Sequence, residues 1–192
     1  QEAFLEKIFI DGLNESFKYS EIDGSAYIDD SFQDTKVSEN YGIIEARYNT
    51  YKDEIEFKKD NLIYVLPKEE KFSKIDFLKS KETLVLIKLN GKESYLFELY
   101  YNGNKSLLKK VKTILNIPNN TKNTYSDNSA PSFKTTTILY VGINNEFLEV
   151  PSKRKKIYDL FPNKRKELET KVKDNNIDLY TDKGLIEFIK LL

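Results

Sequence analysis

The sequence predicts an α+β fold: a strand-rich antiparallel sheet of hairpins and a meander, followed by two or three short C-terminal helices. Three observations lead there. Asn90-Gly91 and Asn102-Gly103 each separate two strand-like segments. Residues 43–57 alternate apolar and polar side chains on both sides of a polar turn. After Pro151 the apolar spacing changes from period two to the spacing of a helix face. Strands first and helices afterwards is the order of an α+β architecture. At 192 residues the chain suits a single domain, 1–192, with 1–150 mainly strands and 151–192 a helical segment packed on the sheet.

Taken in order, Phe4, Leu5, Ile8 and Phe9 fit a short helix or a strand equally well. Ala26-Tyr27-Ile28 reads as a short strand running into a turn at Asp29-Asp30. Ile44, Ala46 and Tyr48 alternate with Glu45, Arg47 and Asn49, and the pattern resumes after Tyr51-Lys52-Asp53 with Ile55 and Phe57 opposite Glu54, Glu56 and Lys58. Such alternation around a turn is a β-hairpin signal with one buried face. Residues 61–66 form another strand, ended by Pro67, and 72–78 a further short one.

Asn-Gly supplies positive φ at both central positions of a type I′ turn, the strongest short-range hairpin marker. Two such pairs, 12 residues apart, predict a three-stranded meander over 83–115. In its middle strand Tyr95, Phe97, Leu99 and Tyr101 share one face. Leu96, Glu98 and Tyr100 share the other, which is also largely apolar. That composition suits a central strand covered on both sides. Residues 116–132 are rich in Asn, Ser, Thr, Asp and Pro, with Tyr125 the only large ring, and read as a loop. Strand pattern returns at 135–141, with a turn at Asn144-Asn145 and a return strand at 146–150. Ser152 is placed to cap a helix reaching Phe161, Pro162 to break it, and Asn163 to cap the next, which carries Leu168 and Val172. Thr181 is placed to cap a last helix whose Leu185, Phe188, Ile189 and Leu192 make one apolar stripe.

Composition excludes several chemistries. The chain has no Cys, His, Trp or Met. It therefore holds no Ser-His-Asp triad, Cys nucleophile, thiolate metal site, haem-ligating His or disulfide. No cofactor is implied. The longest apolar runs, 63–66 and 84–87, are strand-sized, far short of the ~20 residues of a membrane-spanning helix. The formal net charge is zero, yet it is unevenly spread: residues 1–60 carry 7 Lys+Arg against 15 Asp+Glu, and residues 151–192 carry 11 against 7. Lys outnumbers Arg by 28 to 3, which we read as the mark of an AT-rich genome. A chain that opens on Gln1 and contains no Met reads as the product of signal-peptide removal, or of a start chosen at such a site, and both favour export.

Candidate chemistry is sparse, and each candidate has a structural counterpart. Asp29, Asp30 and Asp34 are weak Ca²⁺ candidates; their spacing lacks the Gly and the terminal bidentate Glu of a Ca²⁺ loop, and turn chemistry accounts for the first two. Asp29, Asp30, Asp53 and Glu54 are the carboxylates a hydrolase of the two-carboxylate kind would use. Arg47 is either an anion fork or the cross-strand partner of Glu54 or Glu56. Tyr95, Tyr100, Tyr101 and Tyr140 could line a groove for a peptide or apolar ligand, and are equally good sheet material. The basic runs 153–156 and 164–166 could meet nucleic acid or anionic lipid, or be solvated helix faces.

The segments Ala26-Tyr27-Ile28-Asp29-Asp30-Ser31-Phe32 and Arg47-Tyr48-Asn49-Thr50-Tyr51-Lys52-Asp53-Glu54-Ile55-Glu56-Phe57 carry a resemblance. The chain resembles a family of exported, uncharacterised proteins of the Bacteroidota, especially flavobacteria, which bear an RYN-x-Y-x-DE-x-E segment. It is similar to them also in Gly103-Asn104-Lys105-Ser106-Leu107-Leu108-Lys109-Lys110 and in a Lys-rich helical tail over 153–175. The resemblance covers most of the chain. It implies a protein of the cell envelope, located in the periplasm, at the outer-membrane periphery or outside the cell, and implies no catalytic residue. The expected role is therefore non-catalytic binding or assembly, with an envelope protein or an apolar ligand as partner and no nucleic acid. Two alternatives stay open: a carrier holding an apolar small ligand between sheet and helices, and a carboxylate-dependent hydrolase.

Overall fold

The computed structural model describes residues 7–10, 15–38, 41–117 and 130–192. The expectations for Phe4, Leu5 and Tyr125 lie outside these residues. Twelve strands are formed: β1 (Lys7–Ile10), β2 (Glu15–Lys18), β3 (Gln33–Lys36), β4 (Ile43–Asn49), β5 (Glu54–Lys59), β6 (Leu62–Val65), β7 (Lys74–Phe77), β8 (Glu82–Leu89), β9 (Lys92–Asn102), β10 (Lys105–Asn116), β11 (Ser132–Ile143) and β12 (Glu146–Glu149). Two α-helices follow, α1 (Arg165–Asp174) and α2 (Asp182–Leu191). The α+β class and the antiparallel sheet are as the sequence predicts. The chain packs as two compact units, Gln1–Lys81 with Val111–Thr136, and Glu82–Lys110 with Thr137–Leu192.

In the first unit β1 pairs with β2, and five strands lie in the order β7-β3-β4-β5-β6 with antiparallel registers between neighbours. The β4–β5 hairpin is the one that the alternation predicts. Its loop is fixed locally: Asn49 Oδ1 accepts the Tyr51 and Lys52 backbone N–H groups at 3.1 and 3.0 Å, and Asp53 takes φ +60°. An Asx turn of this kind is what Asn offers a tight loop. The β5–β6 turn uses Asp60 and Asn61, at φ +52° and +59°, the left-handed pair that a two-residue hairpin requires. Ala26–Ile28 is not a strand. Only Tyr27 bridges, to Asn49, because the Ala26 carbonyl is taken by the Thr50 and Tyr51 N–H groups of the β4–β5 loop.

In the second unit β8 and β9 meet through Asn90 and Gly91, at φ +49° and +81°. The next turn sits one residue later than expected. Asn102 stays in the ladder opposite Lys105, and Gly103, at φ +62°, takes the tight position, with the Asn104 N–H donating to the Asn102 carbonyl at 2.6 Å. Leu107 pairs with Tyr100 and Leu108 with Glu98, so β9 bulges at Leu99. An extra residue on one strand breaks strict alternation. Leu99 and Tyr100 consequently both pack on the same cluster, where the sequence pattern put them on opposite faces. Asn144 and Asn145, at φ +50° and +66°, form the predicted β11–β12 turn.

The segment after Pro151 is less helical than the caps suggest. Residues Arg154–Leu160 and Pro162–Lys164 are 3₁₀ turns, and neither they nor α1 has a side-chain cap. Ser152 does not cap, because the turn starts at Arg154 and Lys153 takes the cap position; Arg154 reaches back and donates to the Val150 and Pro151 carbonyls at 3.4 and 2.8 Å. Asn163 lies inside the 3₁₀ turn that Pro162 opens, so α1 starts after it. Thr181 does cap α2: its Oγ1 accepts the Gly184 N–H at 3.0 Å. Leu185, Phe188 and Ile189 of that helix are fully buried with Leu107, Val141, Ile157 and Leu168 in one apolar cluster. No helix among the described residues is long and apolar enough to cross a membrane.

Candidate functional site

Arg47 is the first sequence-derived candidate, and the structure surrounds it completely. It stands opposite Glu56 in the β4–β5 register. Its Nε donates to Glu56 Oε2 at 2.8 Å and its Nη1 to the Asp30 carbonyl at 3.1 Å. The guanidinium carbon lies 4.2 Å from the centre of the Tyr27 ring and 4.4 Å from that of Phe32, and Lys58 Nζ lies 4.4 Å from Phe32 again. Cations over ring faces are attracted by the ring quadrupole. Tyr27, Arg47, Phe32 and Lys58 thus form a ladder of alternating ring and cation.

Glu56 is fully buried and takes the other end of the lattice. Tyr27 Oη donates to it at 3.1 Å, and Asn49 Nδ2 donates to its Oε1 at 2.9 Å. Asn49 Nδ2 also lies 3.3 Å from Tyr19 Oη. Burial, reinforced by the Glu56 charge, raises the Tyr27 phenol. Burial pushes Tyr19 up to about 12, against the hydrogen bond from Asn49. Both phenols are therefore neutral at physiological pH, Tyr27 donating to Glu56 and Tyr19 accepting from Asn49. Among the described residues every buried side-chain nitrogen or oxygen has a hydrogen-bond partner. A cleft of about 250 Å³ lies beside this lattice, lined by Tyr19, Ser25, Tyr27, Asp30 and Arg47. Its one cationic side chain is already matched by Glu56, and the Asp30 carboxylate lines it as well, so the cleft offers an anion no unmatched positive charge.

The remaining candidates are dispersed. Asp29 holds the Ser31 N–H and hydroxyl at 2.9 and 2.6 Å, and these bonds lower its pKa. Asp34 points outward from β3. Among the described residues no group of three Asp or Glu is placed to hold a metal ion. Asp53 accepts from Tyr48 Oη at 2.7 Å and from Lys68 Nζ at 2.6 Å. Glu54 is partly buried, which raises its pKa. The tyrosines do not share a groove. Tyr95 is fully buried, Tyr100 packs on the apolar cluster of the second unit, and Tyr101 is 61% exposed. Tyr140 lies on β11 opposite Glu149, where burial raises its phenol. In the basic runs Arg165 pairs with Asp159 and Glu169, and Arg154 is turned onto backbone carbonyls.

Two further clefts lie among the described residues of the second unit. One, of about 210 Å³, lies at the β9–β10 turn between Val85, Ile87, Tyr101 and Phe147, with Glu98 and Lys105 at its border. The other is larger, about 320 Å³, and more apolar. Lys105 and Ile143 supply its sheet side; Leu160, Phe161, Pro162, Asn163 and Lys164 supply its helical side, and Leu192 closes the lining. Ile143, Leu160, Phe161 and Leu192 also pack on the buried cluster, so the cleft is the open margin of that core. The sequence suggested an apolar-ligand site between sheet and helices but named none of these residues for it. They are scattered over 88 positions, and the available signal was the break at Leu160-Phe161-Pro162, which halts the helical segment and leaves two large apolar side chains at its end.

A scan against protein-family models, a search of curated proteins and a search of solved structures each gave no match for this chain.

Proposed function

We propose that this is an exported, non-catalytic binding protein of the cell envelope that takes an apolar small ligand in the cleft between the sheet and the helical segment of its second unit. The observation that carries the reading is that cleft: about 320 Å³ with Ile143, Leu160, Phe161, Pro162 and Leu192 in its walls. Small-molecule sites are concave, mostly apolar and furnished with a few polar groups, and this one has that composition. The polar lattice around Arg47, by contrast, is fully engaged within its own sheet. The placement in the envelope rests on the RYN-type resemblance.

The test is titration with N-phenyl-1-naphthylamine, a neutral apolar dye that fluoresces when shielded from water. Saturable enhancement is expected, lost in Leu160→Ser/Phe161→Ser with the far-UV circular dichroism unchanged. No saturable binding by the intact protein overturns the reading. Fractionation of the native host, with the protein found outside the cytoplasm, tests the location.

A further inference from the structure

We propose that the ligand of this cleft is an anionic single-chain amphiphile, its acyl chain against Ile143, Leu160, Phe161 and Pro162 and its acidic head group between Lys105 and Lys164; the proposal rests on the binding reading above. Charge complementarity is the first ground. The ionisable side chains lining the cleft are both lysines, and no carboxylate side chain lines it. The cleft beside Arg47 holds a cation matched by Glu56 together with the Asp30 carboxylate, and the one at Tyr101 has Glu98 as well as Lys105 in its lining, so neither offers an anion an all-cationic border.

Placement is the second ground. Lys105 is the first residue of β10, and Lys164 is the last of the 3₁₀ turn before α1, so the sheet side and the helical side each contribute one lysine to the lining. Lys164 gives one of its donors to the Leu192 carbonyl at 2.5 Å, which fixes its position at the cleft border. A lysine carries three donors, so that contact does not exhaust it. Lysine stems are apolar and heads are compact charges. Such a pair extends an apolar wall and then offers positive charge at its end, which is the order of groups in a fatty acid.

Size is the third ground. A cleft of about 320 Å³ suits one chain of moderate length. It does not suit the paired chains of a bilayer phospholipid, so the source proposed is a free single-chain acid.

The experiment is displacement of bound N-phenyl-1-naphthylamine from the intact protein by decanoate and by decyltrimethylammonium, which has an equal chain and the opposite charge. Decanoate is expected to displace at a concentration ~10-fold lower, as two partly exposed charge contacts would give. The gap should narrow when ionic strength rises from about 0.02 M to about 0.5 M. Lengthening the acid should improve it ~4-fold per methylene until the cleft is full. Lys105→Gln/Lys164→Gln should abolish the preference for decanoate, read as the ratio of the two displacement concentrations so that any change in dye affinity cancels.

Equal displacement by acid and ammonium, or a double variant that still prefers decanoate, overturns the proposal and leaves the cleft reading standing. Failure of the dye to bind overturns both. Sedimentation of the protein with anionic phospholipid vesicles, without displacement of dye by decanoate, also overturns the proposal, in favour of a membrane surface.

Discussion

In the first unit, one face of the β4–β5 hairpin is closed by Arg47, Glu56, Asn49, Tyr27 and Tyr19, which reach one another through directional bonds and ring–cation contacts. In the second, the sheet is closed by Leu107, Val141, Ile157, Leu168, Leu185, Phe188 and Ile189, with no polar group among them. The two solutions respond differently to damage. An apolar cluster loses stability in proportion to the volume removed, and neighbours can partly close the gap. A buried charge lattice is nearly neutral when intact and costly when halved, because the surviving charge has lost its partner. That face of the first unit therefore has its stability concentrated in few atoms, and the cluster of the second has it distributed.

The largest expected effect tests that concentration. Glu56→Leu leaves the Arg47 guanidinium in a site where its side chain is only 8% exposed, and should cost ~3–5 kcal/mol in chemical denaturation. Adding Arg47→Met should recover most of the loss, since replacing both partners removes the unpaired charge. A double variant as unstable as the single one would mean that the ring–cation ladder, rather than the ion pair, holds this face. In the second unit Leu168→Ala should cost about 3 kcal/mol, with no second substitution restoring it by charge logic. Hydrogen exchange should show each loss first in the unit that carries the substitution.

Alkali separates the two regions next. Tyr19 is raised from 10.0 to about 12, and Tyr27 is raised as well, so the unfolded chain ionises first. A phenol whose folded pKa lies higher gives stability that is full below pH 10 and is lost as pH climbs through the folded value. Each such tyrosine removes up to about 1.4 kcal/mol per pH unit in that window. The denaturation midpoint should hold steady to about pH 10 and then fall. Tyr27→Phe should make that fall shallower, and should cost ~1–2 kcal/mol at neutral pH because Glu56 loses a donor. An unchanged alkaline slope in Tyr27→Phe would show that the pH response arises elsewhere, for example at Tyr140 or Tyr158, which burial also raises.

The same contrast explains what was legible beforehand. The hairpins were, because alternation and Asn-Gly or Asn-Asn pairs act within a few residues. The pairing of Arg47 with a glutamate of the neighbouring strand was visible as a choice between Glu54 and Glu56. Its burial was not visible. That depends on Tyr27 and Phe32 folding over the sheet from a segment held by a single bridge and by the Ala26 carbonyl, contacts that no local pattern encodes. The bulge at Leu99 was hidden for a different reason: it shows only in the register against β10, where Leu107 faces Tyr100 and Leu108 faces Glu98. The amphiphile cleft joins Lys105 to Lys164, 59 positions apart, and periodicity carries no information at that distance.

The smallest expected effect concerns how the apolar cluster is positioned. Among the described helical elements after Pro151, α2 alone has a side-chain cap, Thr181 Oγ1 accepting the Gly184 N–H at 3.0 Å. Thr181 Oγ1 also donates to the Asp178 carbonyl at 3.0 Å, so one hydroxyl joins the incoming chain to the first turn. Gly184 is required at that turn: a Cβ there would sit 1.9 Å from the same carbonyl oxygen. Thr181→Ala removes both bonds without touching the cluster and should cost ~1 kcal/mol. Thr181→Ser, which keeps the hydroxyl, should cost far less. If the cluster is as tolerant as an apolar core should be, the Ala variant will loosen exchange in the first turn of α2 and leave Leu185, Phe188 and Ile189 protected. Loss of protection along the whole helix would mean instead that the cap, and not the buried stripe, holds α2 in place, and that the second unit too depends on a single polar contact.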